Sequence, residues 1–276
     1  VFGLALSVAS TVVLVRALQE RKILESERGR IAVGWLIVED LVMVLALVLL
    51  PALAPALVAD TRLPASEIAT TIGLTLLKVA AFIGVMVVAG RRVIPWIMHH
   101  AAHTGSRELF RLAVYAVALG VAFGAAKLFD VSFALGAFFA GMMMGESRLS
   151  QRAADEALPL RDAFAVLFFV SVGMLFNPAV LVEAPLAVLA TVLIIVVGKS
   201  VAAFVIVRAF GHPVGTALTV SAALAQIGEF SFILVGLGVA LSLLPEEGRD
   251  LVLAGAILSI LVNPFIFAAV ERGRTK

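Results

Sequence analysis

The chain has 276 residues, 62% of them hydrophobic and 14% charged, and its mean hydropathy is +1.11. A soluble domain carries about 25% charged residues, so the composition excludes that class and predicts an all-α, polytopic helical membrane protein in a lipid bilayer. The absence of cysteine excludes disulfides and thiolate metal sites, the net charge of +2 gives nucleic-acid binding no footing, and no signal peptide is visible.

Nine apolar stretches read as membrane segments: residues 1–18, 31–50, 68–89, 109–128, 131–145, 158–175, 185–207, 217–244 and 251–270. The first begins at Val1 without an initiator Met, which predicts that N-terminal helices precede it. Its middle reads Leu6-Ser-Val-Ala-Ser-Thr-Val-Val13, where small and hydroxyl residues, Ser10 and Thr11 among them, interrupt the apolar run. Irregular backbone at membrane depth persists only inside protein or beside water, and its freed carbonyls and N–H groups can coordinate ions.

The second segment carries Glu39 and Asp40 at its centre, the ninth and tenth of the twenty residues from Ile31 to Leu50. One carboxylate at the middle of a bilayer costs about 2.5–3.5 kcal/mol on insertion scales, so two in succession predict a function. Neighbours on a helix point about 100° apart, so one acid faces a cavity while the other faces a partner helix. A carboxylate binds either H⁺ or a monovalent cation, and the two exclude each other. The alternative is a buried pair capped by hydroxyls, with no part in transport.

Lys78, in Leu74-Thr-Leu-Leu-Lys-Val-Ala80, is expected to pair structurally or face a crevice. His99, His100 and His103 have a spacing that suits a metal site on a helix, but they read better as a hydrated loop beside an interfacial Trp96. No metal beyond a monovalent cation is expected, and no cofactor. The mixed-charge stretch 146–162 reads as a solvated connector. Lys199, in Leu193-Ile-Ile-Val-Val-Gly-Lys-Ser-Val-Ala202, needs a counter-charge at membrane depth, for which Glu39 or Asp40 is the obvious partner. The eighth segment is too long for one straight span. It contains Leu224-Ala-Gln-Ile-Gly-Glu-Phe-Ser-Phe232, so Gln226, Glu229 and Ser231 mark a second broken helix lining an ion path or gate. Two interrupted helices near the chain's two ends are the pattern of an inverted-repeat transporter. Phosphate-binding Gly loops, HExxH and Ser elbows are all missing from the sequence, so enzyme chemistry has no foothold.

Basic residues collect in alternate loops. Arg16, Arg21, Lys22, Arg28, Arg30, Arg91, Arg92, Arg107, Arg111, Arg148, Arg152, Arg161, Arg208, Arg272, Arg274 and Lys276 fall on one side, sixteen in all, against Arg62, Lys127 and Arg249 on the other. The richer side is expected to be cytoplasmic. This predicts a multi-pass protein of a bacterial-type inner (plasma) membrane with a cytoplasmic C-terminus.

Taken together, these residues resemble the second family of monovalent cation:proton antiporters, and within it the Kef-type potassium efflux branch. Ala5-Leu-Ser-Val-Ala-Ser-Thr-Val-Val13 resembles that family's first broken core helix, and Glu39-Asp40 stands at its carboxylate pair. Gly136-Ala-Phe-Phe-Ala-Gly141 with Phe168-Phe-Val-Ser-Val-Gly-Met174 resembles its central helices. Lys199 followed by Gln226-Ile-Gly-Glu-Phe-Ser-Phe232 resembles its second core repeat. The resemblance implies an inverted-repeat sodium/proton-antiporter-like fold with two crossed broken helices and four helices missing at the N-terminus. Residues 1–50 would then be part of the first core repeat, 51–184 the linking and dimer-domain helices, and 185–276 the second core repeat. The resemblance also implies a homodimer and a cytoplasmic nucleotide-binding regulatory domain not contained in this chain. The implied activity is alternating-access exchange of H⁺ for K⁺ or Na⁺. Asp40 would hold the ion or proton, Ser10, Thr11 and nearby carbonyls would assist, and Lys199 would balance charge. Many Kef-type members carry Gln-Asp rather than Glu-Asp, so Glu39 adds a titratable group on which stoichiometry turns. The competing readings are a sodium-coupled organic-anion symporter of related fold and a cation channel or sensor.

Overall fold

The structure is a computed structural model that describes residues 1–58 and 65–274; Arg62 and Lys276 of the charge count lie outside the described residues. The described residues form helices in the order α1 (Phe2–Ser7), α2 (Thr11–Glu20), α3 (Glu27–Val58), α4 (Ala65–Val85), α5 (Arg91–His103), α6 (Arg107–Phe129) and α7 (Phe133–Gly145). These are followed by α8 (Ser150–Leu175), α9 (Val180–Glu183), α10 (Pro185–Leu193), α11 (Lys199–Ala209), α12 (Val214–Leu224), α13 (Glu229–Ala240) and α14 (Glu246–Arg274). Single π-helical turns, Met86–Gly90 and Ile194–Gly198, carry α4 into α5 and α10 into α11 without a break.

Among the described residues seven helical stretches are long and apolar enough to cross a membrane, and eight if α12 and α13, bent by 46°, form one span. The remaining expected segment is α7. Its thirteen residues rise about 20 Å, short of a hydrocarbon core of about 30 Å. The chain divides into two compact units, Val1–Leu45 with Val172–Lys276, and Ala46–Ser171.

The first unit contains both interrupted helices. α1 stops where Val8 turns extended (φ −97°, ψ 126°), and α2 starts from Ser10, whose hydroxyl accepts the Val13 N–H at 3.3 Å as an N-cap. α12 gives way after Ala225 to an extended Gly228 (φ −139°, ψ −154°), from which α13 starts. α1 packs on α13 and α2 on α12, so the two broken helices cross at their breaks. Gly228 makes the crossing this close: a Cβ there would overlap the Cα and Cβ of Ser10. Below the crossing, Leu14, Leu18, Leu36, Val220, Leu224 and Phe267 are buried together.

In the second unit α6 and α7 meet at Gly136, where a Cβ would lie 2.6 Å from Ala122 Cα, and small residues let the backbones approach. Lys78 forms an ion pair with Asp130 at 3.0 Å, the structural pairing expected of it. Two stretches read as loops are helical. His99, His100 and His103 lie on α5, with Trp96 stacked on His100 and the His99 and His103 rings 4.0 Å apart. Most of 146–162 forms the first turns of α8. Glu156 there is 5% exposed and is held by Arg107 and, at 2.6 Å, Arg111, while its backbone carbonyl accepts the Tyr115 hydroxyl. Two arginines from α6 convert a charge-rich stretch into an anchored helix.

Candidate functional site

The acid pair lies on α3, opposite the first break. α1 cannot continue past Ser7, so the N–H groups of Ala9 and Ser10 have no helical carbonyl to bond. Glu39 takes one of them: its Oε2 accepts the Ala9 N–H at 2.9 Å, and its Oε1 accepts the Trp35 indole N–H at 2.7 Å. Both oxygens of Glu39 are therefore engaged in holding the break. Asp40 is different. Its Oδ2 accepts the Thr11 hydroxyl at 3.3 Å, while its Oδ1 is buried and accepts no hydrogen bond from the described residues. A buried carboxylate oxygen without a donor is costly, so it is retained where something else binds it. Thr11 is the first residue of α2, and the positive end of that half-helix faces the carboxylate.

The two breaks are joined at Ser10. Its N–H donates to Gln226 Oε1 at 2.9 Å, and its carbonyl accepts from Gln226 Nε2 at 3.2 Å. Its hydroxyl donates to Glu229 Oε2 at 2.9 Å. Gln226 thus behaves as an inserted peptide group, and with a further bond from Nε2 to the Ala223 carbonyl its amide is fully used. Glu229 begins α13, where its charge meets the favourable end of the helix dipole. Ser231 is fully buried, and its hydroxyl has no partner among the described residues.

Lys199 departs from expectation. It forms no direct ion pair with Glu39 or Asp40 and instead donates to the Gln226 carbonyl at 3.1 Å. The physical reason is that the C-terminal end of α12 carries partial negative charge, and a cation beside it offsets that dipole. Ser10, Thr11, Glu39, Asp40, Lys199, Gln226, Glu229 and Ser231 all belong to the first unit. Three participants were missed in the sequence: Trp35, Ser200, whose hydroxyl donates to the Ser221 carbonyl at 3.2 Å, and Asn263, whose amide donates to the Ala222 carbonyl at 2.8 Å. Asn263-Pro264 inside the apolar run of α14 carried the same signal as the acid pair, a polar side chain at membrane depth.

The chain is similar to several antiporter-named proteins. It is 65% identical over 272 residues to YbaL of Escherichia coli K12, named for a proposed cation/proton antiport, which covers 99% of this chain and 49% of YbaL. It is 34% identical to K(+) efflux antiporter 4 and 33% identical to K(+) efflux antiporter 6 of Arabidopsis thaliana, in each case over 97% of this chain and 44% of the relative. The chain therefore spans about half the length of the curated relatives it matches. The family described as sodium/hydrogen exchanger, transmembrane, matches residues 1–272. With nearly its whole length matched and a polytopic helical fold in hand, the chain belongs to the sodium/hydrogen exchanger transmembrane family.

Proposed function

We propose that the chain is the membrane part of a secondary transporter that exchanges H⁺ for K⁺ or Na⁺ by alternating access. The observation that carries this reading is the buried, unpartnered Oδ1 of Asp40 beside Thr11 and the first break. A carboxylate in this position is neutralised either by a proton or by a monovalent cation, never both, and that exclusion is the chemistry of exchange. Asp40 alternates between the two, and Thr11 and freed backbone carbonyls assist the cation. Ser10 acts from behind by holding the breaks together. Lys199, lodged on the Gln226 carbonyl, balances the acids of the crossing in whichever state Asp40 stands. Glu229 and Ser231 border the path, and Gln226 serves as its clamp. The antiporter names of the relatives support the same reading.

The protein is further proposed to lie in the bacterial inner membrane with its Arg-rich loops and C-terminus cytoplasmic, to act as a homodimer, and to work with a nucleotide-binding regulatory domain. The core reading is tested with full-length protein in proteoliposomes containing a lumenal pH dye. Asp40→Asn is expected to abolish cation-dependent proton flux with either K⁺ or Na⁺, and flux retained in that variant overturns the proposal.

A further inference from the structure

A groove of about 400 Å³ lies between α2 and the start of α3, within the size range of small-ligand sites. Its apolar walls are Val15 of α2, Leu24 of the connecting loop, and Val33, Gly34 and Ile37 of α3. Two charged residues share it: Glu25 from the loop and Arg30 from the first turn of α3. Both are exposed, and neither side chain has an ion pair or hydrogen bond to a described residue, so they are not paired with each other. A carboxylate and a guanidinium held apart in one hollow present an acceptor at one point and a donor at another.

The groove stands at the edge of the apolar span of α3, which begins at Glu27. Ile37 lies seven residues beyond Arg30, about 10 Å further along the helix. The charges are therefore at head-group level and the apolar walls reach into the hydrocarbon. Ile37, 59% exposed, and Leu41, 52% exposed, lie one turn apart on one face and continue the apolar track out of the groove. Gly34 hollows that face. It is a poor helix former, and a Cβ added there would meet nothing within 4 Å.

We propose that this groove holds a phospholipid whose head group carries a primary ammonium, the phosphatidylethanolamine class. The Arg30 guanidinium donates to its phosphate, a match of planar donors to oxygens. Its ammonium donates to the Glu25 carboxylate, and an acyl chain follows Gly34, Ile37 and Leu41. An anionic head group without an ammonium would set its charge against Glu25, and a choline head group has no N–H to donate. The inference stands apart from the exchange reading, since it requires only that the chain lies in a bilayer.

The test mixes full-length protein in detergent with equal parts of phosphatidylethanolamine, phosphatidylcholine and phosphatidylglycerol, and native mass spectrometry counts the lipids retained. The parent is expected to retain phosphatidylethanolamine over each of the others by about threefold or more, the scale of one exposed ion pair. Glu25→Gln is expected to erase that preference. Arg30→Gln removes the phosphate partner common to all three lipids, and Gly34→Leu fills the hollow, so each is expected to lower retention of all three. Lys22→Gln, which removes a nearby charge outside the groove, is expected to match the parent. Equal retention of the three lipids by the parent overturns the proposal, because it marks ordinary boundary lipid. Preference for phosphatidylglycerol, or a Lys22→Gln loss equal to that of Arg30→Gln, overturns it in favour of diffuse attraction by basic loops. A phosphatidylethanolamine preference that survives both Glu25→Gln and Gly34→Leu overturns it by placing the lipid elsewhere.

Discussion

Glu39 and Asp40 are adjacent in the chain and have opposite circumstances. Glu39 spends one oxygen on the Ala9 N–H and the other on the Trp35 indole, so the break demands an acceptor from position 39 more than a charge. Glu39→Gln keeps an amide oxygen for Ala9 and forfeits one bond, a loss of about 1 kcal/mol. It is expected to retain cation-dependent proton flux in proteoliposomes, with a modest fall in melting temperature. Glu39→Leu strands the Ala9 N–H and is expected to lose flux, and equal flux in the two substitutions would show that the cap is dispensable. The pair was legible in the sequence because charges at the centre of an apolar run need a reason. The division of labour was not, because it depends on which N–H groups the first break leaves open. Asn263 escaped for a related reason: its partner is a carbonyl 41 positions earlier, and only folding brings them together.

The interrupted helices were legible as elements, since hydroxyls, Gly and an acid in an apolar run mark where a helix cannot be continuous. What sequence could not supply is the contact between the breaks. That contact depends on Gly228, whose missing Cβ leaves room for the backbone of Ser10. Gly228→Ala forces the crossing apart in a packed interior, where overpacking costs about 1–3 kcal/mol or more. The expected outcome is a lower melting temperature in detergent together with loss of flux, because the Ser10–Gln226 bonds at 2.9 and 3.2 Å cannot survive the displacement. Wild-type melting and flux in Gly228→Ala would contradict the close crossing. The first turns of α8 are the opposite lesson. Composition made 146–162 look like a connector, and the helix is secured by Arg107 and Arg111, which lie 49 and 45 positions before Glu156.

At the scale of the whole molecule, the nine apolar stretches of the sequence correspond to the seven long helices, the bent α12–α13 pair and the short α7. Hydropathy finds such elements because lipid requires every backbone group of a spanning segment to be bonded within it. Hydropathy does not fix which end of each span faces the cytoplasm; the proposed orientation rests on the distribution of basic residues, sixteen on one side against three on the other. In the proposed orientation the loop between α2 and α3, with the exposed Glu25, lies on the basic side, and the start of α14, with the exposed Glu247, on the other. The chain contains no cysteine, so a single introduced thiol reports its own position without background from this region. In intact bacterial cells, Glu247→Cys is expected to react with a membrane-impermeant maleimide, and Glu25→Cys only after lysis. Each position is exposed and outside the crossing, so neither substitution disturbs the acids that define the site. The reverse pattern would turn the protein over in the membrane. The C-terminus proposed to be cytoplasmic would then lie outside.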